Sequence, residues 1–311
     1  MNSGPSGKSR FKAILAIATL LTAAVCCRAA DLLPGLHDRT IVVNGRERSY
    51  ILSIPEKPAE PAPVIFFLHG GGGTAEEMTR MGVQQEAGPL GFVVAFPQGY
   101  GNSWNAGPGP DNRSPNYGLA FRDQIDDVAF FRALIADIAR VVKIDRRRLY
   151  SAGWSNGSAM SFRLAMELSD TFAAVAGCAS ELSLYDPPPP KRPVPMMYFW
   201  GTLDPIQRPG APDAAERSRR HLQNWFRLNR VSSKGTLVKK VRKAECTLYP
   251  PLAGGADAIV WKIEGMGHEW PGLVPRNPII RERTETALGP YNTDISANRE
   301  MIDFFLKHSL P

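Results

Sequence analysis

The sequence predicts an α/β fold: a doubly wound, mostly parallel sheet with helices on both faces, in a single domain. Three observations carry this. Short, continuous apolar runs such as Val64–Leu68 read as strands covered on both faces. They alternate with segments of helical periodicity such as Val128–Val142. Each polar cluster of interest falls just beyond the carboxyl end of one of these strands, where open α/β sheets hold their ligands.

The chain begins with a basic segment (Lys8, Arg10, Lys12) and an apolar run of 13 residues, Ala13–Val25. That run is short for a bilayer span and suits the apolar region of a signal peptide. Cleavage after Ala29 would leave the small residues Cys27 and Ala29 at the two positions the peptidase inspects. Residues 1–29 are therefore expected to be a signal peptide and residues 30–311 the folded domain. No Leu-x-small-Cys sequence precedes Cys26 or Cys27, which argues against a lipid anchor. The expected location is secreted or periplasmic, without stable membrane association after cleavage.

The 311 residues are 43% hydrophobic and 22% charged, enough to bury a sizeable core. The net charge of +7 is mostly a property of the leader. Without Lys8, Arg10, Lys12 and Arg28 the 37 basic residues fall to 33, against 30 acidic ones. A nucleic-acid partner thereby loses its main support. Two cysteines survive processing, Cys178 and Cys246, and export permits a disulfide, but Cys178 lies in the apolar run Phe172–Cys178. A disulfide and a buried free thiol both fit.

Taken in order, Thr40–Val43 and Arg46–Ile54 form a hairpin around Asn44-Gly45, which supplies the two positive-φ positions of a tight turn. Strand Val64–Leu68 empties into His69-Gly70-Gly71-Gly72-Gly73. A helix is predicted over Ala75–Ala87 and a buried strand over Phe92–Phe96. Pro97–Tyr117, rich in Gly, Pro and Asn, reads as a long loop. Asp126-Asp127 can cap the helix Val128–Val142. A strand Arg148–Ala152 and a helix Ser158–Leu168 follow, then strands Ala173–Cys178 and Met196–Trp200. A helix over Asp213–Asn229, strands Leu237–Val241 and Ala258–Ile263, and a helix Ser296–Lys307 complete the reading.

Gly153-Trp154-Ser155-Asn156-Gly157 joins a predicted strand to a predicted helix, the setting of a nucleophile elbow. So sharp a turn leaves the Ser155 hydroxyl clear of the sheet, beside free N–H groups of the helix. A serine hydroxyl needs a base to activate it, and the base needs an acid to fix its tautomer. Asp204, in Gly201-Thr202-Leu203-Asp204-Pro205, and His268, on a glycine-flanked loop, follow Ser155 in the order acid, then base. His69 lies on the wrong side of Ser155 in that order, and Asp127 reads better as a cap. The backbone N–H of Asn156 and those of Gly71 and Gly72 are the expected oxyanion donors. Trp270, then Trp104 and Trp154, are the candidate walls of a substrate pocket, with packing as the other role for Trp104 and Trp154.

These motifs resemble a known family. Leu68-His69-Gly70-Gly71-Gly72-Gly73, Phe96-Pro97-Gln98-Gly99, Ser103-Trp104, Gly153-Trp154-Ser155-Asn156-Gly157 and Gly267-His268-x-Trp270-Pro271-Gly272 stand in register with it from about residue 40 onward. The set is similar to the secreted polyhydroxybutyrate-depolymerase-like esterases of the α/β-hydrolase superfamily, allied to feruloyl and acetylxylan esterases. The resemblance implies carboxylic-ester hydrolysis through an acyl-enzyme on Ser155, with Asp204 and His268, and without metal or other cofactor. The implied substrate is a hydroxyalkanoate oligomer or a phenolic or acetyl ester of the plant cell wall. Ile206–Pro212 lacks the Tyr-x-Gly-Gly many such proteins carry, which counts against a solid polymer.

Other readings fit less well. Gly70-x-Gly72-x-x-Ala75 loosely matches a dinucleotide fingerprint, but Phe96-Pro97-Gln98 stands where the ribose-binding acid is needed. His268-Glu269 begins like a zinc-protease motif, but position 272 is Gly. A peptidase or an acyltransferase would use the same triad. An inactive binding module on this fold would lack a triad member, and none is missing.

Overall fold

The computed structural model describes residue 1 and residues 32–107, 118–180, 189–206 and 222–311. Residues 2–29 of the expected signal segment and the first half of the helix expected at Asp213–Asn229 lie outside the described residues.

Strand character follows burial. β3 (Ala62–Leu68) is buried at every position, because its side chains alternate between two covered faces. It pairs in parallel with β4 (Val93–Pro97) and with β5 (Ile144–Trp154). Beyond β5 lie β6 (Ala174–Cys178), β7 (Met196–Gly201) and β10 (Ala258–Ile263), all parallel. Antiparallel pairs finish both edges: the hairpin of β1 (Gly35–Val43) and β2 (Arg46–Ile54) on one side, β9 (Ala244–Tyr249) and β8 (Thr236–Val241) on the other. The ten described strands run in the order β1-β2-β4-β3-β5-β6-β7-β10-β9-β8.

Helices cover both faces. On one, α1 (Ala75–Thr79), α2 (Val83–Ala87) and α8 (Ala297–Phe305) pack on Ile65, Phe67, Val94 and Phe96. On the other, α4 (Asp127–Val141) and α5 (Asn156–Glu167) cover Val64, Phe66 and Leu68. Beside them, α6 (residues 222–228 as described) presses Trp225 against Phe162 of α5, ring centroids 5.0 Å apart. Two helices lie outside these layers: α3 (Gly118–Arg122), and α7 (Pro278–Leu288), which buries none of its residues.

Three details correct the sequence reading, and the Asp126 cap bears it out. The helix expected over Ala75–Ala87 is two helices, because Gly82 takes a left-handed φ of 79° between them. α3, β9 and α7 were not expected. The cap of α4 is Asp126, whose carboxylate accepts the N–H of Ala129 at 2.8 Å. Asp127 instead makes a buried ion pair with Arg48 at 2.7 Å and accepts the N–H of Asn105 at 2.7 Å. The Arg48 guanidinium also lies 4.0 Å from the centre of the Phe130 ring.

Asp127→Ala would leave that guanidinium buried without its counter-ion. The expected loss of stability is about 3–5 kcal/mol, the usual cost of removing one partner of a buried pair. Denaturant unfolding checks it; an unchanged unfolding midpoint would contradict it.

Candidate active site

The carboxyl ends of the parallel strands meet at one edge of the sheet, and four loops rise there. Ser155 stands between β5 and α5 with φ 53° and ψ −121°, a conformation that side chains adopt only under constraint. Its N–H donates to the carbonyl of Cys178 at 2.8 Å. The glycines two positions either side are required by close approach. A Cβ on Gly153 would stand 2.5 Å from the Gly157 carbonyl carbon, and one on Gly157 would stand 2.5 Å from the Leu68 carbonyl oxygen.

Asp204 follows β7 and His268 follows β10. Their loops are stitched together: Thr202 N–H donates to Ile263 and Leu203 N–H to Met266. Asp204 spends one carboxylate oxygen on the N–H of Ile206 at 2.8 Å and receives His268 Nδ1–H on the other at 2.7 Å. Both side chains are almost fully buried, at 1% and 3% exposure. A carboxylate can only accept here, so Nδ1 carries a proton, and in the neutral imidazole the lone pair falls on Nε2. Nε2 is buried and has no hydrogen-bond partner among the described residues.

Two contacts tie the His268 loop to the elbow that carries Ser155, while no hydrogen bond joins Ser155 Oγ to His268 Nε2 among the described residues. The indole N–H of Trp154, next to Ser155, donates to the His268 carbonyl at 3.1 Å. Cys178, whose carbonyl takes the Ser155 N–H, donates its thiol to the Glu269 carbonyl at 3.2 Å. Both described cysteines, Cys178 and Cys246, are buried and unpaired.

His69 has a different task from a base. It is 1% exposed, its Nδ1–H donates to Gly70 O at 2.7 Å, and its Nε2 accepts the Gly99 N–H at 2.9 Å. Burial pushes its pKa down to about 4, so the ring is neutral in ordinary buffers. The glycine loop it holds lies against the elbow: a Cβ on Gly70 would be 3.4 Å from Ser155 Cβ, and one on Gly71 would be 3.7 Å from Asn156 Cβ.

Of the three expected oxyanion donors, one needs correction. The Gly72 N–H is already engaged with the Asn102 carbonyl at 2.7 Å, leaving Gly71 and Asn156. Two of the tryptophans named as candidate pocket walls are corrected as well. Trp104 is fully buried and donates its indole N–H to the His69 carbonyl at 2.9 Å. Trp270 is 2% exposed, packs edge-on against Phe67 with centroids 5.0 Å apart, and bonds Asn298 at 2.9 Å. Both rings are packing residues that anchor the loops from beneath.

Glu269, next to His268 in the chain, enters the sequence reading only as part of a zinc-protease motif. It is 6% exposed, and its Oε1 has no partner among the described residues. Burial pushes its pKa up to about 8, reinforced by Glu285 and Asp204 and opposed by a hydrogen bond with Tyr291. The folded chain therefore keeps a proton that the unfolded chain releases at about pH 4.3. The stability linked to that proton is fully present below about 4.3 and is lost as pH rises through about 8. Glu269→Gln is expected to flatten the fall in melting temperature between pH 5 and pH 9. Identical pH profiles for the variant and the wild type would contradict this.

No protein-family model matches the chain. It is 36% identical over 176 residues to a protein named "Putative esterase NocK" from Nocardia uniformis subsp. tsuyamanensis; the match covers 54% of this chain and 48% of that one. It is 28% identical over 226 residues to feruloyl esterase B of Piromyces equi, covering 67% and 39% respectively. The chain thus spans about half the length of the curated relatives it matches. Among solved structures, an acetyl xylan esterase from Aspergillus awamori superposes with a TM-score of 0.51 at 15% identity, covering 75% of this chain and 94% of that one. A thermostable esterase does so with a TM-score of 0.52 at 17% identity, covering 88% and 63%. The chain has the α/β-hydrolase fold and is related in sequence to proteins named as esterases.

Proposed function

We propose that the chain is a serine carboxylic-ester hydrolase acting through an acyl-enzyme, with Ser155 as nucleophile, His268 as base and Asp204 as its acid partner. The observation that carries this reading is the buried His268–Asp204 pair, with its second ring nitrogen unpartnered, on a loop tied to the elbow that holds Ser155 at positive φ.

The chemistry follows from the proton positions. Nε2 of His268 takes the hydroxyl proton as Ser155 Oγ attacks the ester carbonyl. Asp204 keeps the ring in the tautomer that allows this and offsets the charge of the imidazolium. The backbone N–H groups of Gly71 and Asn156 receive the negative charge that develops on the carbonyl oxygen. The imidazolium then protonates the departing alcohol and leaves the acyl group on Ser155. Water, deprotonated by the same nitrogen, attacks that ester; the imidazolium then returns the proton to Ser155 Oγ as the acyl–oxygen bond breaks and the acid is freed. Every group in these steps belongs to the chain, the substrate or water.

The relatives named as feruloyl esterases support a feruloyl, phenolic ester as substrate, and the motif resemblance adds acetyl esters of the plant cell wall. Hydroxyalkanoate oligomers are the second class, supported by the motif resemblance. The N-terminal basic and apolar segment supports export of one catalytic domain, residues 30–311, to the periplasm or medium. No helix among the described residues is long and apolar enough to cross a membrane.

A hydrolysis panel tests the reading: p-nitrophenyl esters, feruloylated sugars, acetylated xylan and hydroxybutyrate oligomers. Cleavage of short p-nitrophenyl esters is expected, with one natural class turned over faster. Folded protein that cleaves none of the panel would overturn it.

A further inference from the structure

The segment Gln98–Trp104, between β4 and α3, touches both arms of the site. On the glycine-loop side, Gly99 N–H donates to His69 Nε2 at 2.9 Å and Asn102 O accepts Gly72 N–H at 2.7 Å. The Trp104 indole N–H reaches the His69 carbonyl at 2.9 Å, and the two rings lie 4.9 Å apart. On the elbow side, Trp104 N–H donates to Asn156 Oδ1 at 2.7 Å, and Asn156 Nδ2 donates to the Trp104 carbonyl at 3.1 Å. The Asn156 amide is thus closed in both directions on one residue's backbone. Its own backbone N–H, at the first position of α5, has no carbonyl within the helix to bond.

Only one tautomer of His69 makes its two bonds. Gly70 O can only accept and Gly99 N–H can only donate, so the proton must sit on Nδ1 and the lone pair on Nε2. A protonated ring would set a donor against a donor and break the link to Gly99. The fully buried surroundings keep the ring neutral far below the usual histidine range.

The two remaining oxyanion donors come from distant parts of the sequence, Gly71 after β3 and Asn156 after β5. An oxyanion hole works only when both N–H groups point at one oxygen. Misplacement by about 1 Å costs on the order of 10²-fold in rate. We propose that His69 and the Asn156 side chain are positioning residues that tie these two N–H groups to a single brace, Gly99–Trp104, and so set the spacing between them. The inference rests on the acyl-transfer reading above and adds to it the part that aims its electrostatics.

Two measurements test it. Nitrogen-resolved NMR of the wild-type chain is expected to show His69 as the Nδ1–H tautomer at neutral pH, titrating at about 4 with the Gly99 amide moving in step. The opposite tautomer, or titration in the ordinary range of about 6.5, overturns the proposal whatever the activity. In kinetics, His69→Asn keeps a donor near the Nδ1 position and lacks the Nε2 acceptor; its kcat is expected to fall about 10²-fold with KM unchanged. His69→Gln, whose amide oxygen reaches the Nε2 position, is expected to recover most of the loss. Wild-type kcat in both variants, or a loss confined to KM, overturns the proposal. A wild type that cleaves no ester instead overturns the acyl-transfer reading itself, an outcome distinct from an active enzyme whose His69 variants are unimpaired.

Discussion

Ser155→Ala is expected to lower kcat on p-nitrophenyl esters by at least about 10³-fold, in line with deleting the nucleophile of a triad. The substitution removes the one atom that bonds the acyl carbon and leaves only binding and the oxyanion donors. Stability should hardly move. The φ of 53° is imposed by the strand-to-helix turn, and alanine bears it no worse than serine does. Ser155 Oγ makes no hydrogen bond to another described residue, and the residue is only half-buried, so alanine breaks no buried bond there. Steady-state kinetics with thermal unfolding of the same sample separate the two effects. A fully active, folded variant would refute the assignment.

Asp204→Asn is expected to cost about 10⁴ in kcat, the loss seen when a triad acid becomes an amide. The geometry gives the reason. One Asp204 oxygen accepts the Ile206 N–H at 2.8 Å, so the amide carbonyl of asparagine would take that position. Its NH₂ would then face His268 Nδ1, where the carboxylate oxygen now accepts a proton at 2.7 Å. The imidazole would have to move its proton to Nε2, and the nitrogen meant to act as base would become a donor. Normal kcat in this variant would show that the His268–Asp204 pair is structural.

Much of the fold is legible in the sequence because its central strands are buried on both sides. Val64–Leu68 has no polar residue to blur its limits, and the strand extends only two residues further. The edges are harder. β9 follows a hairpin turn in which Arg242, with φ 50°, takes the position that Gly or Asn would advertise. α7 buries no side chain, so it carries no apolar stripe for periodicity to report. Gly82 breaks a helical pattern by its φ, which a periodicity count does not register.

The candidate site divides along the same line. Ser155, Asp204 and His268 sit at strand ends marked by Gly and Pro, so their place in the topology can be read from the order of elements. Depth cannot. An aromatic ring in a polar loop reads the same whether it walls a pocket or roofs the core, and Trp104 and Trp270 do the second. The partner of the Gly72 N–H is a carbonyl 30 residues away, at Asn102, which no local pattern signals. Glu269 looks solvated in sequence and becomes a buried carboxyl only in the fold, where it meets Tyr291.

A fluorophosphonate probe, which bonds covalently to activated serines, gives the most direct test of the central claim. Mass spectrometry of the labelled, folded chain should find a single adduct, on the peptide carrying Ser155. An unlabelled chain, or an adduct on any other serine, would contradict the account.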